Sequence, residues 1–342
     1  MSIHILGVDL GKNICSLAGL DGTGAVVFRK RIQRHRLLVV LSELPRCVVA
    51  MEACGGAHHV ARFCREIGHE PRLMSPYYVR PYVKVHKTDD RDAVAIAEAA
   101  SRPTMSFVTI KSAEQLDLQA LHRARDRLVQ SRTRLVNQAR AFLMERGIRV
   151  PQGRHTFQRA LADLLKDEHA DISPRMTVLL EDMESELADL NQRIGAFDDE
   201  ITALAKSDPT IRRLTAIPGI GPMIASALVA AVGDGATFKK GRDLSAWLGL
   251  VPRQASTGGK ARMMGISKRG NPYLRRLFVH GARAALHLIK DRTTPLSRWV
   301  DQLALRSHGN VATVALANKL ARVAWAVLVK QRAFDQSLLL GR

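Results

Sequence analysis

Four carboxylates in three short segments are the residues of this chain best equipped for chemistry. Asp9 closes the apolar run Ile5-Leu6-Gly7-Val8, and Glu52 closes Val48-Val49-Ala50-Met51. Asp89 and Asp92 lie in Lys87-Thr88-Asp89-Asp90-Arg91-Asp92-Ala93. These two are three apart at the start of a predicted helix and so share one face. Asp90 rivals Asp89, but only Asp89 stands three before Asp92. Acids from separate segments repel one another unless a cation holds them. For an all-oxygen site on a phosphate-handling protein the usual cation is Mg²⁺. Singly, each acid has an ordinary reading as a turn cap or as a helix-start carboxylate favoured by the dipole.

A second set of groups follows far downstream. Ser256-Thr257-Gly258-Gly259-Lys260 offers a hydroxyl, a flexible backbone and nearby cations. Such a loop suits either a bound phosphate or a serine nucleophile, with Lys260 and Arg262 near enough to stabilise developing charge. Ile217-Pro218-Gly219-Ile220-Gly221-Pro222 has the pattern of a helix-hairpin-helix. There Gly219 and Gly221 would expose backbone amides to a DNA phosphate, or serve only a tight turn between packed helices. Ile266-Ser267-Lys268-Arg269-Gly270 adds two more cations.

Elements must position these groups. Residues 3–8, 14–20 and 25–32 read as strands split by Gly11-Lys12-Asn13 and Asp21-Gly22-Thr23-Gly24. A helix over 36–44, a strand over 47–52, a helix from Ala57 to Ile67 and a strand from Pro71 to Met74 follow. An Ala-rich helix runs from Asp89 to Ala100. Antiparallel strands followed by alternating helices and strands predict an α/β layer fold of the ribonuclease H type. Residues 113–146 predict a long helix with Leu121, Leu128, Leu135 and Phe142 at heptad spacing. Its other faces carry seven arginines, Arg123, Arg127 and Arg134 among them, which suit a nucleic-acid backbone. Residues 174–206 carry an unbroken a/d seam from Met176 to Leu204, so a coiled coil is expected, within or between subunits. The expected domains are 1–110, 111–207 and a mainly helical 208–342.

Composition narrows the partner. The chain has 342 residues and a formal net charge of +20. Residues 238–342 hold 20 Lys+Arg against 4 Asp+Glu, a net of +16. That favours a polyanion, nucleic acid first, with the C-terminal third as its main surface. Cys15, Cys47, Cys54 and Cys64 form no Cys-x-x-Cys pair and match no common zinc spacing with His58 or His59. They read as reduced thiols. No secretory leader is evident at Ile3–Val8, and Val311–Val329 is interrupted by Asn318, Lys319 and Arg322, so a soluble cytoplasmic protein is expected.

In order and spacing these motifs resemble the DEDD-type insertion-sequence transposases, the bridge-RNA-guided serine recombinases. The resemblance spans nearly the whole chain, and the Ser-Thr-Gly-Gly-Lys form is similar to one subgroup. It implies a Holliday-junction-resolvase-like domain with Asp9, Glu52, Asp89 and Asp92 as a Mg²⁺-binding tetrad holding one or two ions. It also implies a serine that attacks DNA, assigned to Ser256 with Thr257 as the rival. Implied partners are donor and target DNA, a structured noncoding guide RNA and other subunits of a tetramer. On this reading Gly219, Gly221, Lys260, Arg262, Lys268 and Arg269 contact DNA, and Arg123, Arg127 and Arg134 contact the RNA. The alternatives are a metal-dependent junction nuclease that uses water in place of serine, and a non-enzymatic nucleic-acid-binding assembly factor.

Overall fold

Apolar runs broken by turn residues build the start of the chain. β1 (Ile5–Leu10), β2 (Ile14–Leu20) and β3 (Val26–Gln33) pair antiparallel. The β2–β3 turn is held by Asp21, whose Oδ1 accepts the Thr23 and Ala25 amides at 2.9 and 3.0 Å. α1 (Leu37–Glu43), β4 (Val48–Glu52), α2 (Ala57–Glu66), β5 (Glu70–Met74), α3 (Pro76–Val79), α4 (Asp89–Ala100) and β6 (Phe107–Val108) follow. The strands form one sheet in the order β3-β2-β1-β4-β5-β6, with β4 parallel to both β1 and β5. This computed structural model describes residues 2–82, 89–167, 171–289 and 295–335, and the chain divides into two units, Met1–Glu114 and Gln115–Arg342.

Strand alternation decides what each sheet face buries. Leu6, Val8, Leu17, Val49 and Met51 pack with Leu37, Leu41, Val60 and Ala61 of α1 and α2. Ile5, Leu20, Val48 and Ala50 pack on the other face with Ile96, Ala97 and Ala100 of α4. Gly7 is on this second face. A Cβ there would strike the Ala93 carbonyl and crowd Ala97 at 3.0 Å, so glycine lets α4 lie directly on β1. This mixed sheet, covered by helices, has the layer order expected of a ribonuclease H-like domain.

The second unit is helical. α5 (Ala113–Met144) leads into it, followed by α6 (Arg154–Lys166), α7 (Pro174–Ser207), α8 (Pro209–Thr215), α9 (Pro222–Val232) and α10 (Gly241–Trp247). A hairpin of β7 (Pro252–Thr257) and β8 (Lys260–Ile266) precedes α11 (Pro272–Ile289), α12 (Pro295–Arg306) and α13 (Gly309–Lys330). Ser173 caps α7 and Asp208 caps α8, each ahead of a proline at the first turn.

The α7 seam is filled from within the same chain. Met176, Leu180, Leu187, Leu190 and Ile194 pack with Leu128, Leu135 and Leu143 of α5 and with Phe157 and Leu161 of α6. Arg125 of α5 reaches Asp198 at 2.5 Å, and Arg132 reaches Asn191 at 2.9 Å. The guanidinium of Arg140 lies 5.3 Å from the Phe157 ring centroid. These three arginines therefore hold helices together, which corrects the expectation that all seven arginines of residues 113–146 suit a nucleic-acid backbone. The seam also changes what a mutation would do. Leu190→Asp places a charge where the native side chain is 5% exposed. We expect a loss of about 4 kcal/mol or more, read as a collapsed urea midpoint. An unchanged midpoint with altered sedimentation would instead mean that the seam serves only subunit contact.

A second core joins α8, α9, α11 and α13 through Ile211, Leu228, Phe278, Leu316 and Leu320. α13 is long and apolar enough to cross a membrane, yet Ala312, Leu316, Leu320 and Val327 are core residues of this unit. One buried polar network ties the helices. His122, 2% exposed on α5, has Nε2 at 3.0 Å from Ser226 Oγ on α9 and Nδ1 at 3.1 Å from Tyr273 Oη on α11. Because Ser226 Oγ donates to the Pro222 carbonyl at 2.6 Å, it accepts from His122 Nε2–H, and Nδ1 accepts from the tyrosine.

Burial, with Arg125 adding to it, pulls the His122 pKa down to about 4. A neutral native histidine gives stability that is full above the unfolded pKa of about 6.5 and falls as pH drops toward 4. The expected loss across that window is about 3 kcal/mol. Urea unfolding at pH 7 and pH 4.5 measures it, and His122→Gln should flatten that part of the profile. An identical profile in His122→Gln would contradict the assignment.

Candidate active site

Asp9 and Glu52 are brought together by strand register. β1 and β4 run parallel, with Gly7 beside Ala50 and Val8 beside Met51, so one further step sets Asp9 beside Glu52. Neighbouring strands are about 4.8 Å apart, and both residues have the parity of Gly7 and Ala50, the face that α4 covers. The two acids are half-buried at the C-terminal ends of their strands. Both act on the Cys54 thiol, which burial raises above its ordinary pKa, Arg34 lowers, and Glu52 and then Asp9 raise.

α4 brings the other acids. Ala93 and Ala97 sit over Gly7, two residues before Asp9 on the same face. Asp92 directly precedes Ala93 and is half-buried with its Oδ1 shielded from solvent. Asp89 begins α4 one turn earlier. The side chains of Asp89 and Asp90 lie outside the described residues, as do Lys87 and Thr88. Among the described residues no three His, Cys, Asp or Glu side chains form a group able to hold a metal ion. The described part of the site is thus the Asp9–Glu52 pair with the start of α4 beside it.

The chemistry of the donor set fits a hard divalent cation. The acids supply only carboxylate oxygens. The nearby thiols of Cys15 and Cys54 have pKa values raised above the ordinary thiol value, chiefly by burial. Ser16, opposite Asp9 in the β1–β2 register, is 2% exposed, and its Oγ has no hydrogen-bond partner among the described residues. That leaves one polar position open beside the carboxylates.

Arg34 has no signal in the sequence. Its Nη1 donates to the Gly11 carbonyl at 2.7 Å and its Nη2 to the Gly55 carbonyl at 3.0 Å. It fastens the loop after Asp9 to the loop after Glu52. No spacing rule points to it, because its partners are brought together only by the β1–β4 pairing.

In the helical unit Ser256 stands on a hairpin, where a loop was expected. Gly258 and Gly259, at φ +56° and +77°, form its two-residue turn. Ser256 opposes Ala261, Thr257 opposes Lys260 and Ala255 opposes Arg262. Side chains alternate along a strand, so Lys260 and Arg262 share the face of Thr257, opposite that of Ser256. The expectation that they stabilise charge at Ser256 is corrected accordingly. On Ser256's own face, Gln254 Nε2 donates to Ser256 Oγ at 2.7 Å. The hairpin is exposed along nearly its whole length.

The expected DNA contacts divide. Gly219, at φ +86°, packs on α11, where a Cβ would meet the Gly281 carbonyl at 2.7 Å and Ala285 at 2.8 Å. Its glycine serves close packing, whereas Gly221 is exposed and open. Lys260, Arg262, Lys268 and Arg269 are exposed, as are Arg123, Arg127 and Arg134 on α5.

Comparison with known proteins agrees with this arrangement. Residues 6–147 match a DEDD-type IS110 transposase domain, and residues 211–295 match the family described as "Transposase IS116/IS110/IS902 family". The chain is 45% identical to a "Probable family 20 transposase" of Pseudomonas aeruginosa, covering 98% of this chain and 99% of the relative. It is 44% identical to the "Transposase for insertion sequence element IS1111A" of Coxiella burnetii, over 97% and 91% of the two chains. It is 24% identical to the "Pilin gene-inverting protein" of Moraxella bovis, over 79% and 76%. DEDD transposase domains generally depend on a divalent metal, in keeping with the oxygen donors at Asp9 and Glu52. The chain belongs to the IS116/IS110/IS902 transposase family, enzymes that bind, cut and rejoin DNA to move insertion sequences.

Proposed function

We propose that this transposase breaks and rejoins DNA by transesterification, with Mg²⁺ held by Asp9, Glu52, Asp89 and Asp92 and with Ser256 as nucleophile. The observation that carries the reading is the alignment of Asp9 and Glu52 on adjacent parallel strands, with the acidic start of α4 over the same face. One ion or a pair would neutralise charge on the scissile phosphate when bound there.

The residues divide the remaining work. Ser256 Oγ forms a bond to phosphorus as the bond to the leaving sugar oxygen breaks. The serine proton passes to a base, and the leaving oxygen takes up a proton. A DNA hydroxyl then reverses the step, forming a new phosphodiester and releasing Ser256. The Gln254 amide, donating to Oγ, leaves the serine hydrogen directed elsewhere. A relative named for inverting a pilin gene supports an activity that conserves the DNA it breaks.

Recognition is assigned by charge and exposure. Gly221, Lys260, Arg262, Lys268 and Arg269 suit DNA phosphates, contacts that position without reading sequence. Arg123, Arg127 and Arg134 recur at spacings of four and seven on one exposed helix face and suit a structured guide RNA. A two-stranded ribbon exposed on both faces is marginal alone in water, which suits a hairpin that packs against DNA or a neighbouring subunit of the proposed tetramer. The test is a denaturation-resistant protein–DNA adduct mapped to Ser256 by peptide mass. An adduct at Thr257 would move the nucleophile by one residue. Cleavage with no adduct would favour a metal-dependent nuclease acting through water.

A further inference from the structure

A cavity of about 800 Å³ opens at the foot of the β7–β8 hairpin, against α12 and α13. That size falls within the roughly 300–1,000 Å³ typical of clefts that hold a ligand. Leu250 and Val314 contribute apolar wall, and Trp299 an aromatic one. Lys319 and Arg322 also line it, and no acid does among the described lining residues. Lys319 Nζ lies 4.9 Å from the centroid of the Trp299 ring. Asn318 Nδ2 donates to the Leu250 carbonyl at 3.2 Å, which ties α13 to the residues leading into β7.

We propose that this cavity receives one base turned out of the DNA stack, with Trp299 against its face and Lys319 and Arg322 toward its phosphate. Three observations converge on that occupant. An indole gives a flat surface that a base can stack on, worth about 1–3 kcal/mol, once the Lys319 ammonium over Trp299 swings from the ring to the phosphate. Lys319 and Arg322, three apart on one half-buried helix face, give the cavity wall a positive character that suits a phosphodiester. Asn310, at the cavity mouth on the first turn of α13, carries an amide of the type that pairs with a base edge.

The site stands on the pocket and on the DNA-acting family, not on the serine chemistry. Only its distance from the cut rests on the proposed function. Ser256 is four residues from Pro252 along β7, about 13 Å. With bases roughly 3.4 Å apart along a strand, the displaced base should lie within about four nucleotides of the cleaved bond.

The test uses the full chain, purified with whatever nucleic acid accompanies it, and duplex DNA of the element end. 2-Aminopurine is placed at one position at a time. One position should brighten several-fold on binding, because the probe fluoresces when unstacked. Trp299→Ala should remove at least four-fifths of that signal. Ala315→Phe, which fills the cavity and leaves the indole in place, should do the same, and thermal melting confirms that both variants are folded. If no position brightens, or if brightening survives both substitutions, the proposal is overturned. It is overturned equally if Trp299→Ala changes sedimentation of the DNA-free protein and leaves the fluorescence unaltered, since the cavity would then seat another copy of the chain. Loss of the adduct with brightening retained would count against Ser256 alone.

Discussion

Asp9→Asn is expected to lower DNA strand cleavage by at least about 10³-fold, while DNA binding should stay within a few-fold of wild type. The substitution keeps the shape of the side chain and removes its charge. Asp9 and Glu52 occupy matched positions on parallel strands, so a cation held between them, as proposed, would depend on both. Losing one carboxylate would remove a proposed ligand and half of the charge at that pair, and loss of metal-based stabilisation would cost several kcal/mol in the transition state. Binding is spared because the positive charge is concentrated elsewhere, at +16 in residues 238–342. Glu43→Gln, at the end of α1, is the matching control and should cut normally. Cleavage retained within tenfold in Asp9→Asn would remove this acid from the reaction.

With Ser256 as the proposed nucleophile, Ser256→Ala should abolish the covalent adduct and lower strand exchange by about 10³-fold or more, whereas Thr257→Val should retain both. Ser256 and Thr257 point to opposite faces of the ribbon, so one approach to a phosphate presents one hydroxyl and hides the other. Lys260 and Arg262 lie on the Thr257 face, so they are not placed to stabilise charge on a phosphate attacked by Ser256. Lys260→Ala should therefore weaken DNA binding by a few-fold and leave the single-turnover rate of bound DNA unaltered. Exchange that survives Ser256→Ala and fails in Thr257→Val would reverse the assignment. Full strand cutting without adduct in Ser256→Ala would indicate hydrolysis by water.

Much of the α/β unit is legible in the sequence because each element carries its own punctuation. β1, β2 and β3 are apolar runs separated by Gly- and Asp-rich turns, and acids at the ends of such runs stand out. The α7 seam is legible for the same reason, since nine apolar residues keep a heptad spacing from Met176 to Leu204. Periodicity alone does not name the partner, however. Only packing shows Leu128 and Leu135 of α5 and Phe157 of α6 filling that seam.

The hairpin that bears Ser256 is less legible. With both faces in solvent, Arg253, Gln254, Ala255 and Ser256 show no alternation of apolar and polar types. Its one signal is Gly258-Gly259, a pair suited to a two-residue hairpin turn. Arg34 is silent in sequence because its partners, Gly11 and Gly55, are 44 residues apart and meet only once β1 and β4 have paired. Gly219 gives the opposite lesson. Its motif suggests phosphate binding, and its close fit against Gly281 of α11 explains the same glycine by packing.

The most direct measurement of the metal reading replaces the divalent ion with Fe²⁺ and maps the backbone cuts made by locally generated hydroxyl radicals. The account predicts cuts clustered near residues 9, 52 and 89–92, suppressed by excess Mg²⁺ and lost in Asp9→Asn. Cuts confined to other segments, or a pattern indifferent to both Mg²⁺ and Asp9→Asn, would contradict it.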